Sequence, residues 1–99
     1  MKKNVHVIIS GIDQGVWFRV STKEKAEQLG VTGWVRNTDN GCVEAVFEGE
    51  EQFVNQMIEW CHHGPPHSEV NDVKIKNQDT KNAFSTFLKS SHVIRLPNL

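Results

Sequence analysis

Apolar and polar positions alternate near the start of the chain, where Val5, Val7 and Ile9 are interleaved with His6, Ile8 and Ser10. A period of two predicts a strand with one mostly apolar face. Gly11-Ile-Asp-Gln-Gly15 interrupts it. The helix formers Lys23 to Gln28 then predict a helix over Arg19 to Leu29, with Thr22, Ala26 and Leu29 on one face and Gly30 as its stop. Ser21-Thr-Lys-Glu24 fits a capping box, although a start a residue or two earlier fits equally well. Two more strands are predicted over Gly33 to Asn37 and Cys42 to Glu48, joined by Asp39-Asn40-Gly41, a hairpin signal. In the second of these, Val43, Ala45 and Phe47 share one face, while Glu44 and Glu48 take the other as a solvated sheet face.

A second helix is expected to open at Gly49-Glu50-Glu51. It carries Phe53, Met57 and Cys61, with Val54 and Ile58, as an apolar stripe at helical spacing. Gly64-Pro65-Pro66 ends it. Val70, Val73 and Ile75 predict a fourth strand, and Ala83 to Leu88 a last one around Phe84 and Phe87. Two helices separated by a hairpin in the order β-α-β-β-α-β predict an α+β, ferredoxin-like sandwich. Its antiparallel sheet has two helices on one face and an additional C-terminal strand. Residues 1–90 are read as one domain and 91–99 as a tail.

Charge narrows the function. Eleven Lys and Arg stand against twelve Asp and Glu in 99 residues, for a net charge of −1. That leaves no cationic surplus to neutralise a run of phosphates, so a nucleic-acid partner is not expected. An RNA recognition motif shares the element order but needs exposed aromatics and basic residues on its central strands, where Glu44, Val46 and Glu48 stand instead. No apolar run approaches the length of a membrane span, and Val5 to Ile9 is too short for a signal segment, so no membrane and a cytoplasmic location are expected. Cys42 and Cys61 lie outside any Cys-x-x-Cys spacing and read as reduced thiols. Cys61, His62 and His63 point about 100° apart on a helix, so they and His67 are not read as a metal site.

No Gly-x-Ser-x-Gly, P-loop or His-Glu-x-x-His motif occurs. The segment Gly11-Ile-Asp-Gln-Gly15-Val-Trp-Phe-Arg19, between a strand and a helix, is the exception. Converging N–H groups at a helix N-terminus bind anions, and an arginine there adds a planar fork of donors. The same residues also suit an ordinary strand-to-helix turn with a surface arginine.

Ile9-Ser-Gly-Ile-Asp-Gln-Gly-Val-Trp-Phe-Arg19 resembles the first signature of the acylphosphatase family. Gly33-Trp-Val-Arg-Asn-Thr-Asp-Asn-Gly-Cys-Val43, followed after five residues by Gly49, resembles the second, and the likeness extends from about Val5 to Leu88. The resemblance implies hydrolysis of small acyl phosphates to carboxylate and inorganic phosphate, with water attacking phosphorus. It implies no metal, cofactor or covalent intermediate. Backbone amides of Gln14, Gly15, Val16, Trp17 and Phe18 would hold the phosphoryl group with the Arg19 guanidinium, and Asn37 would position the water. Asp13 departs from the small apolar residue usual in the family, and Ile12 from a frequent basic one. Asp13 is expected to face solvent; the alternative function is a catalytically weak domain that binds anions or a protein. The Trp17, Trp34 and Trp60 side chains are read as packing aromatics, with Trp17 the one nearest the site. A monomer acting on a small-molecule acyl phosphate is expected.

Overall fold

The opening alternation forms β1 (Lys2–Ser10), whose Val5, Val7 and Ile9 are fully buried. It is followed by α1 (Val16–Leu29), β2 (Thr32–Asn37), β3 (Val43–Glu50), α2 (Glu51–Cys61), β4 (Asp72–Gln78) and β5 (Phe87–Lys89). The computed structural model describes residues 1–11, 16–66, 68–80 and 87–89. The strands lie in the order β4-β1-β3-β2-β5. Pairing among β4, β1, β3 and β2 is antiparallel throughout, as the ferredoxin-like reading requires, and the additional strand β5 joins the edge parallel to β2. No helix among the described residues is long and apolar enough to cross a membrane.

Both helices cover one face. α1 lies over β2 and β5, and α2 over β3 and β1. Between them and the sheet, Val5, Val7, Ile9, Val35, Val43, Ala45 and Phe47 meet Phe18 and Ala26 of α1 and Val54, Met57 and Cys61 of α2. Each fully buried aliphatic or aromatic side chain contributes about 1.5 to 3 kcal/mol, so this layer is the main stabilising term.

Three boundaries differ from the sequence reading. The first helix starts at Val16 rather than at Arg19, and Ser21 lies inside it rather than capping it. Val16, Trp17 and Phe18 are indifferent helix formers. Phe18, however, falls one turn before Thr22 and two before Ala26, and all three are buried, so tertiary packing extends the helix backward. The second helix opens at Glu51, because Gly49 and Glu50 stay in the ladder opposite Lys3 and Lys2 of β1. The fourth strand begins at Asp72, beyond Val70, and runs to Gln78 opposite Asn4. The last strand was expected from Ala83; residues 81–86, and the tail 91–99, lie outside the described residues.

The hairpin forms as its sequence demands. Thr38 N–H donates to Cys42 O at 2.9 Å, Cys42 N–H donates to Thr38 Oγ1 at 3.0 Å, and Gly41 adopts φ +86°. A residue in the left-handed region just before the returning strand is what a three-residue hairpin loop needs. This turn sets Asn37 opposite Val43 and Arg36 opposite Glu44.

The expectation of a solvated face for Glu44 and Glu48 is overturned. Both are buried, at 7% and 3% exposure. Glu44 sits between His6 Nε2 and the Arg36 guanidinium, each 2.5 Å from one of its carboxylate oxygens. Glu48 accepts Asn4 Nδ2 at 2.7 Å. Side chains from strands on both sides of β3 close over it, which a single strand's alternation does not reveal. Neither central strand presents a Phe, Tyr or Trp on this face, and the His6 ring is engaged by Glu44, which removes the basis for the RNA-binding reading.

Candidate active site

The sheet register sets Asn37 in one row with the end of β1, from which the chain runs toward α1 and Arg19. Ile9 of β1 faces Val43 of β3, and Val43 faces Asn37 of β2. Adjacent strands are about 4.8 Å apart, so the end of β1 and Asn37 are separated by about 10 Å across that row. The chain leaves β1 at this edge and re-enters described structure at Val16, the first residue of α1. Gly11 makes the exit. Its φ is +77°, and a Cβ there would come within 2.3 Å of the side chain of Asn71, a residue whose backbone N–H donates to Ser10 O at 3.0 Å. An L side chain would be strained twice over at this position.

Of the five residues whose amides were predicted to hold phosphate, Gln14 and Gly15 lie outside the described residues, as do Ile12 and Asp13. Val16, Trp17 and Phe18 are the first three residues of α1. Backbone N–H groups in that first turn have no carbonyl a turn earlier to bond, and they lie at the positive end of the helix dipole. The turn is held from below. The Phe18 ring meets the Trp60 ring at a centroid distance of 5.7 Å and 48°, and Gly64 lies so close that a Cβ there would be 2.6 Å from Phe18 Cε2. Thr22 Oγ1 donates to Phe18 O at 2.8 Å.

Arg19 is the fourth residue of α1 and is only 8% exposed. A cation at the N-terminal end of a helix opposes the dipole, and no acidic residue stands in the first turn. Arg19 makes interactions within the chain that offset the cost of burying its guanidinium, and the helix end adds amide donors beside it. This placement therefore suits an anion bound at the helix end. Asn37 is the last residue of β2, half-buried on the helix-facing side, and its Oδ1 is buried without a hydrogen-bond partner among the described residues. A buried acceptor left open next to a donor-lined helix end suits a hydrogen bond from a bound molecule.

The ion-paired cluster behind Asn37 was missed in the sequence. Burial pushes the Glu44 carboxyl up, but the hydrogen bond to His6 and the charge and hydrogen bonding of Arg36 outweigh it and hold Glu44 below the ordinary carboxylate value of 4.5. The signal was present in the hairpin: counting back from the Asp39-Asn40-Gly41 turn sets Arg36 against Glu44. Arg36 is thereby tied to the central strand at the position before Asn37.

The tryptophans separate. Trp34 is buried and Trp60 packs against the core, as read from the sequence, whereas Trp17 is 67% exposed and is not a packing residue. It follows Val16 at the helix end, where its neighbours Phe18 and Arg19 take the buried directions. Cys61 is buried in the core while His62 and His63 are exposed, so these three side chains diverge; His67 lies outside the described residues. Burial pushes the Cys61 thiol up, which makes it inert as a nucleophile. Cys42, beside the hairpin, is likewise a reduced thiol.

Comparison with known proteins gives one answer. The family described as Acylphosphatase matches residues 5–88. A curated acylphosphatase of Rubrobacter xylanophilus is 55% identical over 76 residues, which are 77% of this chain and 69% of that protein. Another, of Pelotomaculum thermopropionicum, is 46% identical over 86 residues, 87% of this chain and 94% of its own. Among solved structures, an acylphosphatase from Coxiella burnetii superposes with a TM-score of 0.84 at 38% identity, covering 90% of this chain and 93% of that one. With both signatures in its sequence and matches of this extent, the chain belongs to the acylphosphatase family.

Proposed function

We propose that this acylphosphatase hydrolyses the carboxyl–phosphate bond of small acyl phosphates by direct attack of water on phosphorus. The phosphoryl group is held by the backbone amides of Gln14 to Phe18 and by the Arg19 guanidinium. Asn37 Oδ1 accepts a hydrogen bond from the attacking water. The observation that carries this reading is the burial of Arg19 in the first turn of α1, together with the open acceptor of Asn37 at the end of β2, the strand that α1 packs over.

In the reaction the water oxygen bonds to phosphorus as the bond from phosphorus to the acyl oxygen breaks. The electron pair departs with the carboxylate, which is a stable anion near neutral pH and needs no general acid. The water's proton passes to a phosphate oxygen. What remains for the protein is to orient two reactants and to stabilise charge on the equatorial oxygens, which fixed amides and a guanidinium do without reorganising. Arginine matches two phosphate oxygens at once, which lysine cannot.

The reading makes the chain a monomer acting in the cytoplasm, with residues 1–90 as the catalytic domain. The outer sheet face supports that, since Glu44, Val46 and Glu48 are already buried within one chain.

Hydrolysis of benzoyl phosphate in 18O-labelled water with EDTA present tests the mechanism. The expected result is turnover undiminished by EDTA, with the label in inorganic phosphate. Label in benzoate would mean attack on the carbonyl carbon, and loss of turnover in EDTA would mean a required metal. Either result overturns the mechanism. At saturating substrate the rate should follow the titration of bound phosphate, and a profile following an enzyme side chain would remove the phosphate from its role as proton acceptor.

A further inference from the structure

In-line displacement at phosphorus places the leaving group opposite the attacking water, so the site has a water side and an acyl side. Asn37 marks the first, on the helix-facing side of β2 and beneath α1. The opposite side is the solvent-facing surface of α1. Phe18, Thr22 and Ala26 face the core, while Trp17, Glu24 and Gln28 recur at helical spacing on the exposed side. Side chains on a helix tilt toward its N-terminus, so the Trp17 indole leans past the first turn toward the phosphate-binding end. Resting on the mechanism proposed above, we infer that Trp17 is the residue that selects the acyl group, and that it favours aromatic and extended apolar acyl phosphates over small aliphatic ones.

Two further observations support this. Exposing a tryptophan to water at 67% forfeits its burial, whereas Trp34 and Trp60 of the same chain are packed. An indole beside a polar anion site offers a flat apolar surface for a ring leaving the phosphate, in offset-stacked or edge-to-face contact. Next, Ser21 lies one turn further along the same side and opens a groove of about 300 Å³ between α1 and the end of α2. Gln28 lines it on one side, and Trp60 and Pro65 line it on the other. An acyl chain too long for Trp17 alone would continue into it.

The test compares kcat/KM for benzoyl phosphate and acetyl phosphate in the native chain, Trp17→Ala and Trp17→Phe. Any disturbance of the phosphate loop lowers both substrates and cancels in their ratio. Trp17→Ala is expected to lower the benzoyl-to-acetyl ratio roughly 3- to 10-fold, the range of a single aromatic contact, while Trp17→Phe retains most of it. A ratio within about twofold of native in Trp17→Ala, or an equal drop in both variants, overturns the assignment. A native chain that hydrolyses neither substrate overturns the underlying mechanism instead, so the two failures are distinguishable.

Discussion

Among the described residues buried charge occurs in two regions, and the two are organised differently. On the outer face of the sheet Glu44 lies between His6 and Arg36, so that opposite charges meet within hydrogen-bond distance. At the sheet edge the buried Arg19 sits at the positive end of its own helix, next to a row of amide donors. The first arrangement pairs opposite charges within the protein and resists unfolding. The second adds a cation to a turn of amide donors, which is what the proposed anion site requires. A local violation of helix electrostatics is thus informative about function, whereas a satisfied ion pair is informative about stability.

Removing the guanidinium should break the comparison most strongly. Arg19→Ala is expected to lower kcat/KM for benzoyl phosphate by about 10³-fold or more, near 4 kcal/mol of transition-state stabilisation, without loss of folded structure by circular dichroism. Its thermal midpoint should fall only slightly, because the dipole penalty of a cation at the helix end is removed together with the interactions that Arg19 makes within the chain. A large fall in midpoint would reassign Arg19 to stability.

Asn37→Ala should come next, with kcat reduced by about 10²-fold, the scale of one lost polar contact in a transition state. Competitive inhibition by inorganic phosphate should persist, because the anion cradle is intact. Weakened phosphate inhibition would place Asn37 in binding rather than in water orientation.

Glu44→Gln probes the balanced region. Removing one partner leaves Arg36 and His6 facing each other, for an expected loss of about 2 kcal/mol at neutral pH in denaturant titrations. The pH dependence has a definite sign. Glu44 is held below its ordinary value in the folded chain, so its stabilisation is complete above about pH 4.5 and fades as the pH falls through the lower folded value. The difference between native chain and variant should therefore shrink in acid. A difference that is constant down to pH 3 would mean that packing, not ionisation, carries the effect.

The smallest effect belongs to an exposed pair. Lys23 Nζ lies 2.7 Å from Glu27 Oε2 one turn along α1, with both side chains well exposed. Lys23→Ala should change stability by under about 0.5 kcal/mol and leave turnover at the native value. A larger change would show that α1 is more marginal than its packing implies.

Much of this was legible beforehand where a rule is local. Val5, Val7 and Ile9 announce a buried strand face by alternation, Phe53 to Cys61 a helix by its stripe, and Gly41 a hairpin by its freedom to take positive φ. The anion site was legible as glycines before a helix followed by an arginine, although the same letters also spell an ordinary turn. Burial of Arg19 weighs against the surface arginine of an ordinary turn, and burial depends on which surfaces pack around the residue. Trp17 illustrates the converse, since composition favours packing and only the direction of its position on α1 leaves it in solvent.

What the amino-acid order determined by itself, then, is the element sequence, the helix-facing apolar rows and the two signature segments, because each follows from contacts within a turn or a strand. Tertiary structure decided three other things. It moved the start of α1 back to Val16, through Phe18 meeting Trp60 and Gly64 more than forty residues away. It buried Glu44 and Glu48, by bringing His6, Arg36 and Asn4 across from neighbouring strands. It also set Asn37 on the edge where β1 ends, through a register that runs across two strand pairings. Each depends on partners remote in sequence, and single-chain periodicity carries no information about which remote partner a side chain will meet.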